Sequence, residues 1–399
     1  MQERRYYGLD ALRGGMMLLG IVLHAANLYL AAPPPVVPLP TDPNKSLAFD
    51  LVFHFIHAFR MPTFFVLAGF FAALLVEKRG IYGTWRDRSV RIVLPLVASV
   101  ILILPVTVLL LADFALATRF GTHRLLPDPA ELEILRAELA AAGFPADAPA
   151  ALHLWFLLYL TYFYLLLPLC RGLGQFAGRC AKPVLWFLGS PVSILVLGVL
   201  SAVTLWPFHG GQVLEGFIFF EPHLPSLAYY GLFFVLGYLL RQFPGALQVL
   251  ARSAGRNAVF AAVLFPLALW ASQVDHAVHP TAGELNHLVA VAANGLCTWA
   301  MVALAIGSAV RFFDRPSPWA LYASQSAYWV YLVHLPLVAL AGWWLVQYDL
   351  PAVAKFTAVV VFTTLLSFLS YHYWVQGTRI GVFLHGRRFR LAWPWREAR

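Results

Sequence analysis

Arg13 and His24 lie eleven positions apart in an otherwise apolar run. At ~100° per residue, eleven steps fall about 20° from three full turns, so a helix puts both side chains on one stripe. Asp10 precedes Arg13 by three residues and can pair with it, and Asn27 follows His24 by three. An imidazole about 16 Å along a helix from a guanidinium suits proton transfer at one level and anion binding at another. A second run repeats the theme. Asp50, His54 and His57 stand at i, i+4 and i+7, with Arg60 one step beyond. His54 and His57 are spaced as metal ligands could be, but no further His/Glu pair completes a site, so no metal is expected. The expectation is a polar wall facing the first stripe. His153 opens a later run, His153-Leu154-Trp155-Phe156-Leu157, and His334 lies within Tyr331-Leu332-Val333-His334-Leu335-Pro336. The bland reading makes His153 an interfacial group and His334 a packing residue. The functional reading puts both, with Trp155, against a substrate.

The elements that must carry these residues are apolar. Hydrophobic residues make up 60% of the 399, charged residues 12%. Soluble domains carry roughly a quarter charged residues. An ordinary soluble enzyme and a disordered chain are both excluded, and an all-α, polytopic membrane protein remains. Apolar segments at about 10–31, 51–76, 92–112, 152–170, 184–206, 224–240, 257–274, 288–310, 319–346 and 352–374 predict ten spans. One transmembrane domain over 1–375 and a basic tail over 376–399 are expected. Arg4, Arg5 and the run after them resemble a cleaved leader, but Asp10, Arg13, His24 and Asn27 favour a retained first helix. Cys170, Cys180 and Cys297 form no framework.

The net charge of +9 has a location. Twenty-one of the 28 Lys and Arg fall at one set of segment ends and five at the other, with Arg13 and Arg60 inside spans. That asymmetry places both termini in the cytoplasm and removes any need for nucleic acid. The opposite side is acidic over 113–150, where 130–142 could form a surface helix, and carries His and acids over 207–223 and 275–287. Eleven of the 13 histidines lie in that outer half. Ionisable groups inside spans are costly, so each is a functional candidate. No inverted repeat is visible, which disfavours a secondary transporter. An exporter using the stripes as a proton relay stays as the alternative from a different class.

Several motifs together carry a resemblance. Leu9-Asp10-Ala11-Leu12-Arg13-Gly14 with His24 ten intervening residues later resembles the first helix of the acyltransferase family 3 membrane proteins. His57-Ala58-Phe59-Arg60-Met61-Pro62, continuing to Ala68-Gly69-Phe70, resembles the family's second motif, with Ala68 where many members have Ser. Arg86-Asp87-Arg88-Ser89-Val90-Arg91, ending at Pro95, is similar to its basic third motif, and the His153 and His334 motifs follow in order. The His-x-Phe-Arg-Met and His-Leu-Trp-Phe-Leu forms imply members that succinylate periplasmic glucans in the bacterial inner membrane. O-acetyl transfer to another envelope or exported polysaccharide is the alternative within enzymes.

What the resemblance implies fits the polarity. Succinyl-CoA, or another acyl-CoA, is the expected co-substrate, a periplasmic glucan the expected acceptor, and no permanently bound cofactor is expected. Arg13, paired with Asp10, is expected to guide the thioester arm, and His24 to deprotonate a sugar hydroxyl or to accept the acyl group itself. His57 is expected to steady the developing oxyanion. Arg60 is expected to meet the distal carboxylate of a succinyl group. Asp50, His54, His153, Trp155 and His334 are expected to line the substrate.

Overall fold

The computed structural model describes residues 5–33, 40–124, 127–141, 150–177, 181–214, 220–278, 284–386, 388–389, 391 and 393–394. In lipid every backbone polar group must be satisfied internally, so apolar segments close into helices. No β-strand occurs among the described residues. The first elements are α1 (Tyr7–Asn27), α2 (Leu47–His57), α3 (Arg60–Arg88), α4 (Leu94–Leu102), α5 (Leu104–Phe120) and α6 (Pro129–Ala141). Then come α7 (Trp155–Leu165), α8 (Leu167–Ala177), α9 (Ala181–Gly189), α10 (Val192–Leu205), α11 (Leu224–Gln242) and α12 (Ala246–Arg252). The chain ends with α13 (Ala254–Val278), α14 (Glu284–Phe313), α15 (Pro318–Leu345), α16 (Ala352–Ser370) and α17 (Arg379–His385).

Among the described residues, seven helical stretches are long and apolar enough to cross a membrane, or eight with the bent pair α9–α10. The chain is therefore an all-α, multi-pass membrane protein. The ten expected segments are all helical, but several are not single rods. A proline stands at each break. Pro62 lacks an N–H and crowds the carbonyl four residues back, at Ala58, where α2 gives way to α3. Pro105 follows the break at Ile103, Pro168 that at Leu166, and Pro191 the 87° bend between α9 and α10. One consequence corrects the sequence reading: Asp50, His54 and His57 share α2, but Arg60 begins a new helix.

Two helix pairs position the site. α1 and α15 run parallel. Near the start of each, Arg13 bonds the Ser324 hydroxyl, and farther along the His24 and His334 rings meet at 5.1 Å between centroids. The two contacts are about 16 Å apart along α1. α3 and α11 touch backbone to backbone, because a Cβ at Gly69 would overlap Phe234 O and one at Gly237 would overlap Val66 O. Small residues permit such approach where no hydrophobic force drives helices together. Ser46 caps α2, accepting from Ala48 N, and Ser317 caps α15, accepting from Ala320 N.

The connection between α1 and α2 is pinned by charge. Asp50 accepts from Ala31 N and Ala32 N, both at 2.9 Å, and buried Lys355 on α16 holds Asp42 at 2.8 Å. The expected surface helix at 130–142 is α6. The expected tail is not loose in its described part: α17 follows a Thr378 cap, and Trp393 stacks on His372 at 3.7 Å. Cys170 and Cys297 are buried free thiols, and Cys180 lies outside the described residues.

Candidate active site

The site is built on a helix defect. Pro336 inside α15 has no N–H to donate, so the carbonyl four residues earlier, at Leu332, is released from the helix ladder. His153 takes it: its Nε2–H donates to Leu332 O at 3.1 Å. A carbonyl only accepts, so the proton is on Nε2 and the Nδ1 of the neutral ring carries a lone pair. Tyr331 secures the same turn, its hydroxyl donating to His153 O at 2.5 Å. The preceding Leu152 has φ of 45°, a left-handed conformation costly for a side chain bearing a Cβ. Strain of that kind persists where surrounding contacts enforce it, and here it turns His153 into the bundle.

His334 is fixed by its own helix. Its Nδ1–H donates to Tyr331 O at 2.7 Å and lies 3.1 Å from Val330 O. Its Nε2 is therefore the lone-pair nitrogen of the neutral ring. Both His334 Nε2 and His153 Nδ1 are buried and make no hydrogen bond. The two rings meet edge to face at 5.5 Å between centroids, and His24 also lies against His334. Three imidazoles far apart in sequence thus form one cluster.

Arg60 completes it. The side chain is 5% exposed, and its Nε donates to Met16 O at 3.1 Å. Its guanidinium lies against Gly20, one turn before His24, where a Cβ would overlap Nη2. Phe64 lies beneath it at 5.8 Å, and Tyr230 and Tyr331 are within electrostatic reach. No carboxylate among the described residues forms an ion pair with it. A buried cation costs several kcal/mol unless it is compensated, and the Met16 carbonyl and the Phe64 face are compensating contacts here.

His54 and His57 bond the segment after α10, and His57 is also within electrostatic reach of His24 on α1. His57 Nε2–H donates to Val213 O at 3.2 Å, and His54 Nδ1–H to Gln212 Oε1 at 3.3 Å. Gln212 Nε2 in turn donates to Ser272 Oγ and Asn294 Oδ1, each at 3.2 Å. Asp275 orders that segment, its Oδ2 accepting from Gly210 N at 2.8 Å and from His287 Nδ1 at 2.9 Å. The backbone reverses through Gly210 and Gly211, at φ of 67° and 63°, where only glycine sits without strain. A small cavity lies beside His57, lined by Pro62, Tyr229, Tyr230, Asn294 and Thr298, with room for about one water molecule.

Of the remaining candidates, Asp10 and Asp50 stand apart from the cluster and Trp155 borders it. Asp10 pairs with Arg5 at 3.0 Å and with Arg13 at 3.1 Å, and Ser324 joins them. That polar knot is about 16 Å from His24 along α1. Asp50 spends both oxygens on Ala31 N and Ala32 N, which is a structural use. Trp155 packs at 6.0 Å on Phe65 and at 5.2 Å on Tyr230, forming a wall behind Arg60. Ala68 is partly buried on α3, about 12 Å along the helix from Arg60, so a hydroxyl there would not reach the imidazoles. No group of three metal-ligating side chains is placed to hold a metal among the described residues.

Sequence reasoning quoted Tyr331 and Pro336 in the His334 motif without a role of their own, and missed Gln212 and Tyr230. Pro336 was legible, since its i−4 carbonyl is fixed by helix geometry. Gln212 and Tyr230 carry no local signal, because their partners are remote in sequence.

A family model described as an acyltransferase domain matches residues 6–372. The chain belongs to acyltransferase family 3. It is similar to glucans biosynthesis protein C of Escherichia coli O1:K1 / APEC, 27% identical over 349 residues, covering 85% of this chain and 83% of that protein. Proteins of the same name from Shigella dysenteriae serotype 1 (strain Sd197) and E. coli strain K12 are each 26% identical, with the same coverage of both chains. No solved structure matches. The protein is a multi-pass membrane O-acyltransferase.

Proposed function

We propose that the protein moves a succinyl group from cytoplasmic succinyl-CoA to hydroxyls of a periplasmic glucan, in the bacterial inner membrane. The observation that carries the reading is Arg60, a buried guanidinium with no carboxylate partner among the described residues, beside three imidazoles. A succinyl thioester brings a carboxylate a short, fixed distance from its reactive carbonyl. Paired with the Arg60 fork, that carboxylate would set the carbonyl beside His24. The relatives' name, glucans biosynthesis protein C, supports a glucan acceptor.

The chemistry follows. A lone pair on His24 takes the proton of a sugar hydroxyl, and that oxygen attacks the thioester carbonyl. A carbon–oxygen bond forms, the carbon–sulfur bond breaks, and the CoA thiolate leaves with the proton held by the imidazolium. His57 and Val213 border the acceptor side. Arg13 and Asp10, about 16 Å away, guide the donor arm and do not enter the reaction.

The test is mass spectrometry of periplasmic glucans from cells with and without the protein, beside purified enzyme offered succinyl-CoA and acetyl-CoA. Glucans heavier by succinyl groups, with succinyl-CoA preferred, are expected. Acetyl increments, or unmodified glucans with no acyl-CoA turnover, would overturn the reading.

A further inference from the structure

The three imidazoles are unequal, and their hydrogen bonds show how. His153 and His334 are each committed to one tautomer by main-chain carbonyls: Leu332 O for His153, Tyr331 O and Val330 O for His334. Each leaves one bare nitrogen buried, with no protein group among the described residues donating to it. A buried acceptor left unmatched costs about 1–3 kcal/mol, so two together imply donors that arrive or reorient during function. His24 has no hydrogen bond of its own and lies against the ring that bears one of the two lone pairs. It is the sole ring in the cluster not fixed by the main chain. Arg60 makes no hydrogen bond to either ring; its Nε donates to Met16 O.

Resting on the acyl-transfer reading, we infer that His334 is the positioning residue for His24. Its Nε2 accepts a hydrogen bond from one nitrogen of the His24 ring, fixing His24 in a single tautomer with the other nitrogen as base. The arrangement follows the logic of a catalytic triad, in which a third group orients the base. Here the orienting acceptor is a neutral imidazole locked by its own helix, where a carboxylate is commoner. The ring centroids are 5.1 Å apart, close enough for a small rotation about the His24 side chain to make the bond. Such bonds are often long before substrate binds. The count of groups then assigns the last lone pair. His24 has one N–H to give, and His334 takes it, so His153 Nδ1 remains for a hydroxyl of the acceptor. The inference thus deepens the substrate class: the acceptor must bring its own O–H donor to His153.

Two measurements test this. The first is the ¹⁵N spectrum of histidine-labelled protein in membranes, with the His24 signal identified by its loss in His24→Ala. Wild type is expected to show one His24 tautomer, His334→Leu a mixture, and His334→Gln, whose Oε1 can accept in place of Nε2, one tautomer again. The second is kinetics with whichever acyl-CoA the enzyme turns over. His334→Leu is expected to lower kcat about 100-fold with KM for acyl-CoA unchanged, and His334→Gln to recover much of it. An unchanged His24 spectrum in His334→Leu, equal kcat for the Leu and Gln variants, or a stoichiometric zinc ion on the purified protein would each overturn the inference. The spectra need no substrate, so a wrong assignment of donor or acceptor would not alter what they report about His24.

Discussion

On the proposed reading, substrate choice turns on Arg60. Its cation is buried, its Nε is spent on Met16 O, and no carboxylate pairs with it among the described residues. A charge-assisted hydrogen bond contributes roughly 1.5–3 kcal/mol, so losing the fork should raise KM for succinyl-CoA about ten- to hundredfold. Arg60→Lys keeps the charge but not the planar fork and should suffer nearly as much as Arg60→Ala. Neither change should weaken turnover of acetyl-CoA to the same degree, since an acetyl group brings no carboxylate. Gly20 provides a second approach. Gly20→Ala removes no charge, but its methyl would occupy the place of Arg60 Nη2. It should therefore mimic Arg60→Lys in donor preference, measured as the ratio of kcat/KM for the two thioesters. An unchanged ratio in all three variants would separate Arg60 from donor recognition.

At the scale of elements, the site depends on a helix whose hydrogen-bond ladder is incomplete. A proline inside a helix costs about 3 kcal/mol, and α15 carries Pro336 at the one place where the released carbonyl holds His153. Pro336→Ala would let residue 336 donate to Leu332 O again, in competition with His153 Nε2–H. The expected outcome is a protein at least as heat-stable as wild type in detergent and at least tenfold slower; that opposition is common where activity depends on a strained site. A variant equally stable and equally active would show that the His153 contact is incidental. This element also shows what sequence can and cannot reveal. Spacing is enough to put Arg13 and His24 on one stripe, and apolar length is enough to find the helices. Reading 51–76 as one rod fails because Pro62 breaks the ladder at Ala58, a rupture that the two residues already announce in the sequence. The union of His24, His153 and His334 is beyond reach for a different reason. It requires α1, the turn before α7 and the middle of α15 to meet, and no local pattern encodes three long-range contacts.

Across the whole molecule, charge and chemistry are separated along the helices. At one end, Asp87 gathers Arg79 at 2.7 Å and Arg91 at 3.1 Å, and Arg241 pairs with Glu77 at 2.6 Å. At the other end basic residues are few, and one of them, Lys355, is buried against Asp42. The imidazole cluster lies between, about 16 Å from the Arg13 knot in a hydrocarbon core of about 30 Å. On the proposed reading, a thioester arriving from the basic end and a hydroxyl arriving from the acidic end would meet at the imidazole cluster, which lies in the last turn of α1 and the turn before α7, toward the acidic end. That geometry makes sense in one orientation alone, the one in which the basic end is cytoplasmic. Exposed Asp349, beyond α15, and exposed Arg315, before it, report the two ends. With Cys170, Cys180 and Cys297 replaced by alanine, Asp349→Cys should react with a membrane-impermeant maleimide in intact spheroplasts. Arg315→Cys should react only after the membrane is opened. The reverse pattern would put the basic face outside, leaving a CoA donor on the wrong side of the membrane and the proposed route without a substrate.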